Sequence, residues 1–183
     1  DMLGGSGDCH DIWKTITTWG SDDIYYSYVA YKGVLSIYPY VWLYRLSCLT
    51  GLGDFTFIAI YQSLLIALTM TVIIPDIVYE MCNVKEENNK FREQKILGFS
   101  VLACYFWRQS GALEPIMIDV PSAFLFFVAI WFILRYKNVQ KFDYLYIIAA
   151  FISLGMLDSF SGQYKISSLF LMGLAVYVCL SKK

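Results

Sequence analysis

Two kinds of charged residue stand where ionised groups are expensive, at the edges of long apolar runs. The first is acidic. Asp119 opens an apolar stretch in Glu114-Pro115-Ile116-Met117-Ile118-Asp119-Val120-Pro121. A carboxylate at the mouth of a helix bundle is costly unless paired or hydrated, so it marks function by default. It also suits a helix N-cap, since Pro121 is accepted in a first turn. The second kind is basic. Arg108 and Lys165 adjoin apolar runs, where a guanidinium or ammonium could hold a phosphate of an anionic lipid headgroup or simply reach the interface. Earlier in the chain, Ser6-Gly7-Asp8-Cys9-His10-Asp11 places two carboxylates beside a helix start.

Other chemistries have little support. The lone His10 has no Cys or His partner at metal-ligand spacing, so no metal site is assigned. The five cysteines, Cys9, Cys48, Cys82, Cys104 and Cys179, show no paired spacing, and those in apolar runs read as small hydrophobes. Gly4–Gly7 is not a phosphate-binding loop, because no Lys-Ser/Thr follows it. With a net charge of −1, no nucleic-acid partner is expected.

The elements that must carry these residues are set by the solvent. Hydrophobic residues make up 58% of the 183 and charged residues 16%, and mean hydropathy is +0.53. A soluble domain carries about a quarter charged residues. A helix needs about 20 apolar residues to cross the hydrocarbon core, and five stretches approach that length: 55–79, 96–113, 120–136, 144–160 and 166–180. None alternates like a membrane β-strand. The expectation is an all-α, polytopic transmembrane bundle of about five spans over 55–183, preceded by an external segment, 1–54, of short interfacial helices. In that segment Ile12, Trp13, Ile16 and Trp19 recur at helical spacing, and Tyr38-Pro39-Tyr40-Val41-Trp42-Leu43 starts a second helix. The aromatic content, 18%, fits the water–lipid boundary. The chain opens on Asp1 rather than Met and closes on Ser181-Lys182-Lys183 after an apolar run, so we expect a segment of a longer protein.

Basic residues orient the bundle. Lys85, Lys90, Arg92 and Lys95, then Arg135, Lys137 and Lys141, then Lys182 and Lys183, make nine of the 14 Lys and Arg. With five spans they share one face, cytoplasmic by the positive-inside rule. The opposite face then holds Asp1, Asp8, Asp11, Asp22, Asp23, Glu114, Asp119 and Asp158, with Lys14, Lys32, Arg45, Arg108 and Lys165 as basic exceptions. Tyr, Lys and Asn usage with short loops fits a bacterial plasma membrane.

This layout resembles the N-terminal membrane half of GT-C glycosyltransferases, the class that includes protein O-mannosyltransferases and aminoarabinose transferases. The resemblance covers nearly the whole chain. Gly7-Asp8 stands where that family has an acidic residue in its first external loop. Tyr38-Pro39-Tyr40-Val41-Trp42-Leu43 is similar to its Pro-aromatic helix start, Asp119-Val120-Pro121-Ser122-Ala123-Phe124 to its span-opening Asp, and Leu154–Lys165 to a small-residue helix ending near a Lys. Asp8 is followed by Cys9 rather than a second acid, which leaves Asp11, or Asp22 with Asp23, as other counterparts. The resemblance implies transfer of a sugar from a polyprenyl-phosphate donor, on the external face, to an acceptor hydroxyl. Asp8 or Asp11 would be the general base. Lys165 and Arg108, with Arg45 third, would stabilise the departing phosphate. Asp119 and Glu114 would hold the acceptor, orient a loop, or share a divalent metal with Asp8. The resemblance assigns no certain cofactor and leaves a divalent metal open, and membrane lipid and the lipid-borne sugar are the expected partners. The rival readings are a lipid or sugar transporter or flippase, and a polymerase-like protein of cell-envelope assembly. The nearest approach to the charged, helix-breaking residues a transporter needs is Pro75-Asp76, toward the cytoplasmic end of the first span.

Overall fold

The computed structural model describes residues 7–20, 34–81, 98, 119–138, 144–160 and 165–181, with the backbone alone at 7–9, 119, 159 and 160. Every element among them is helical: α1 (Gly7–Thr17), α2 (Val34–Thr50), α3 (Thr56–Met81, with a π-helical turn at Thr69–Ile73), α4 (Asp119–Asn138), α5 (Tyr144–Phe160) and α6 (Lys165–Ser181). Two of them, Thr56–Met81 and Val120–Asn138, are long and apolar enough to cross a membrane, and only 22% and 33% of their apolar windows are buried within the protein. On the first, Ile60, Leu64, Leu68 and Val72 are exposed, whereas every apolar residue of the second is buried or half-buried between its neighbours. The stretch 96–113, the basic loop 85–95, and Arg108, Glu114, Asp22 and Asp23 lie outside the described residues.

Two packing layers organise α4, α5 and α6. Leu125 and Ala129 of α4 meet Leu154 and Leu157 of α5 and Leu171 of α6. One layer further, Ile133 and Tyr136 meet Ile147 and Ala150, with Ala175 and Val178. Rising numbers on α4 pair with falling numbers on α5 and rising numbers on α6, so α5 is antiparallel to its two neighbours. Ala129, Ala150 and Ala175 are fully buried. Small side chains there let the backbones of the three helices approach closely. The outer faces carry Leu145, Ile152, Ile166, Phe170 and Tyr177, all exposed.

The N-terminal helices form a separate core. Ile12 and Ile16 of α1 bury against Ile37, Tyr40 and Val41 of α2 and Ile58 of α3. Trp13 stacks on Phe55 at 4.3 Å and meets Tyr44 edge-on at 5.3 Å. The apolar face of α1 is thus used against α2 and α3. The helix expected from Tyr38-Pro39 begins a turn earlier, at Val34, with Pro39 in its interior. A proline ring crowds the carbonyl four residues back, here that of Leu35, which is exposed. Gly51, at φ +68°, ends α2 in the left-handed conformation that favours glycine, and α3 follows after a short turn. Phe55 offers no side-chain cap. Instead Ser47 Oγ of α2 accepts the Phe57 N–H at 3.5 Å, and Gln62 Nε2 donates to the Tyr40 hydroxyl at 3.2 Å, tying α2 antiparallel along the first part of α3.

Candidate functional site

The densest charged cluster among the described residues joins α3 to α4. Asp76 and Glu80 are four apart on α3, hence on one face, and Trp131, Arg135 and Asn138 follow the same rule on α4. Arg135 Nη2 donates to Asp76 Oδ2 at 2.5 Å and Arg135 Nη1 faces Glu80 Oε1 at 3.0 Å. Trp131 Nε1 donates to the same Asp76 oxygen at 2.9 Å, and Asn138 Nδ2 to Glu80 Oε2 at 2.5 Å. The guanidinium carbon lies 5.7 Å from the centre of the Trp131 ring, within cation–π range. The Asp76 side chain is only 9% exposed and that of Arg135 31%. Such a carboxylate persists because the Arg135 guanidinium and the Trp131 N–H replace its water. One donor, Arg135 Nε, is buried without a hydrogen-bond partner.

These pairs also fix direction. Residue 76 meets 131 and 135 while 80 meets 135 and 138, so the lower part of α3 and the end of α4 run the same way. The first residues of α4 and of α6 are consequently at the far end of the bundle from this cluster.

That far end is where most of the sequence-derived candidates fall. Asp119 is the first residue of α4 and Lys165 the first of α6. Lys165 is exposed, and its carbonyl accepts the Ser168 hydroxyl at 2.9 Å. Ser168 Oγ also lies 3.4 Å from Asp158 Oδ1 at the end of α5. Asp8 is the second residue of α1, its side chain outside the described set, while Asp11 is half-buried and its carbonyl accepts Thr15 Oγ1 at 2.7 Å. Asp8 and Asp11 thus share a helix that docks beside the start of α3. Arg45 has a defined local role: Nη2 donates at 3.3 Å to the Trp19 carbonyl where α1 ends, beside Gly20 at φ +89°. A cation on the last carbonyls of a helix is favourable. Arg108 and Glu114, and any metal shared by the Asp8 and Asp119 side chains, lie outside what is described.

The sequence alone singles out Asp76, with Pro75, only in weighing a transporter, and does not join it to Arg135. Asp76 interrupts an apolar run directly after a proline, and an ionisable residue inside such a run is a site hypothesis with a partner to be named. The partner, Arg135, reads from the sequence only as part of the basic face. No protein family, curated protein or solved structure matches this chain.

Proposed function

We propose that the chain is a multi-pass membrane protein of about five spans that transfers a sugar from a polyprenyl-phosphate donor on the extracytoplasmic side, with a GT-C-like arrangement. The observation that carries this reading is the polarity of the bundle. The ends that begin α4 and α6 carry Asp119 and Lys165, and Asp158 near the end of α5 lies beside Ser168 of α6. The opposite ends carry Arg135 and Lys137 and lead into Lys182-Lys183. Because α3 and α4 run the same way, the chain between Met81 and Asp119 connects opposite ends of the bundle, which supports a further crossing over 96–113. α5 and α6 are short for a span, and their exposed apolar faces suit lipid contact with local thinning or tilt of neighbours.

In this reading a carboxylate of α1, Asp8 or Asp11, takes the acceptor proton as the hydroxyl attacks the anomeric carbon. Lys165, with Arg108, offsets charge on the leaving phosphate. Asp119 and Glu114 orient the acceptor or its loop. A second reading, a lipid or sugar transporter, draws on a specific feature: α3 is interrupted by a π-turn and Pro75 next to an ionised pair, and broken helices with charges serve transport. The pair lies near the end of α3 rather than its middle, which favours transfer at a surface.

The test is sugar release from a panel of polyprenyl-phosphate sugars by the protein in lipid nanodiscs, comparing wild type with Asp8→Asn, Asp11→Asn and Lys165→Ala. Turnover abolished by one Asp change in a folded protein supports the transferase. Indifference to all three, with donor flipped across liposomes instead, assigns transport.

A further inference from the structure

We propose that α3 contains a built-in joint at Thr69–Pro75, and that the Asp76–Arg135–Glu80 network clamps the segment below the joint to α4. Three local features weaken the helix at one place. The Ile74 N–H bonds to the Thr69 carbonyl, five residues back, in the π-turn Thr69–Ile73. Pro75 has no N–H to give, and its ring crowds the Thr71 carbonyl. The hydroxyls of Thr69 and Thr71 bond back to the Leu65 and Ala67 carbonyls, each at 2.7 Å, a pattern that bends helices. Kinks arise at such prolines and π-bulges, and π-turns are frequent at functional positions.

Both sides of the joint pack along α4, but they are fastened differently. Above it, Ile58 belongs to the α1–α2 core and Gln62 bonds Tyr40. Below it, within eight residues (Ile74–Met81), Asp76 and Glu80 meet Trp131, Arg135 and Asn138 of α4. A helix of one piece would need no such concentration of charge at one end. A helix with a weak point needs its short lower segment fastened, and a polar network in apolar surroundings gives one register rather than a sliding contact. The polar network therefore fixes the lower segment in register on α4, while the upper segment rests on the α1–α2 core and on α4 without ionic contacts among the described residues, and local opening below the joint is what the network resists.

Amide hydrogen exchange on the protein in nanodiscs tests this. In Arg135→Met, amides of residues 74–81 should exchange faster by at least about tenfold, because the charged contacts to both Asp76 and Glu80 are lost, while those of 56–68 stay near wild type. Pro75→Ala added to Arg135→Met should reduce that acceleration, because a continuous α-helix again holds the lower segment. If Arg135→Met does not fold, Trp131→Phe removes one donor to Asp76, and a smaller acceleration confined to the same segment is expected. Acceleration spread evenly over 56–81 would mean that α3 is a single rod, and no acceleration in 74–81 would mean that the network is not a clamp; either result overturns the proposal.

Discussion

Arg135 reaches across from α4 to Asp76 on α3, 59 positions earlier in the chain, and closes on Oδ2 at 2.5 Å. The same guanidinium serves Glu80 through its other terminal nitrogen, so one cation holds two carboxylates a helical turn apart. The arrangement leaves two acids and one base together, and it is kept by donors from uncharged side chains, Trp131 and Asn138.

The pair is buried enough on the Asp76 side to matter energetically. A hydrogen bond to a charged group contributes about 1.5–3 kcal/mol, more than the fraction of a kcal/mol of an exposed pair. A double-mutant cycle with Asp76→Asn and Arg135→Met, read by reversible unfolding in detergent, should return a coupling of about 1.5–3 kcal/mol. Asn138→Ala, at the exposed end of the network, should cost less than about 1 kcal/mol. A coupling indistinguishable from zero would show the contact to be incidental.

The crossing of α4, α5 and α6 makes an opposite pair of predictions for small residues. Ala150 is fully buried between layers, so Ala150→Leu should destabilise by about 1–3 kcal/mol through overpacking. Gly173 on α6 is different, because a Cβ there meets nothing within 4 Å. Gly173→Ala should stabilise by up to about 1 kcal/mol through helix propensity. Thermal unfolding of the two variants compares them directly, and equal losses would place α6 in a tighter contact than the packing layers show.

How much of this was legible in the residues depends on the range of the interaction. Apolar runs and caps are local, so the α4 start at Asp119, the α5 limits and the helical spacing of Ile12 and Ile16 could be read from the chain. What covers a helix face is not local. Ile12 and Ile16 carry the same pattern whether they meet lipid or Tyr40 and Val41, and only packing distinguishes the two. Charge bias identified Arg135 as a residue of a basic face but gave no hint that it would be occupied by Asp76 and Glu80. The π-turn before Pro75 was likewise illegible, since a proline in an apolar run announces a break without saying how the backbone repairs it.

Helix directions predict which positions share a side of the membrane. With Cys9, Cys48, Cys82, Cys104 and Cys179 replaced by Ala, single cysteines at Lys137 and Lys165 should react with a membrane-impermeant maleimide from opposite sides. Lys137 should be labelled only from the cytoplasmic face, in keeping with the basic residues near it. Labelling of both from one side would remove the antiparallel crossing of α5 from the membrane and with it the five-span reading.

Arg45 separates a structural cation from a substrate-binding one. Its Nη2 contact with the Trp19 carbonyl is long, at 3.3 Å, and exposed, so it resembles a surface helix–cation interaction of about 0.3–1 kcal/mol. Arg45→Ala should lower stability by about that much and leave kcat/KM for a polyprenyl-phosphate sugar within about tenfold of wild type, or 1.4 kcal/mol of barrier. Arg45→Lys should recover part of the stability, since the positive charge near the end of α1 remains. A phosphate-binding role gives a different signature: kcat/KM falls by well over tenfold in Arg45→Ala while unfolding is unchanged, and lysine restores activity poorly because it lacks the planar fork that meets a phosphate with two parallel hydrogen bonds. The first outcome confines the proposed phosphate contacts to Lys165 and Arg108; the second adds the α1–α2 pair to the proposed site and makes the docking of α1 on α2 a determinant of donor binding.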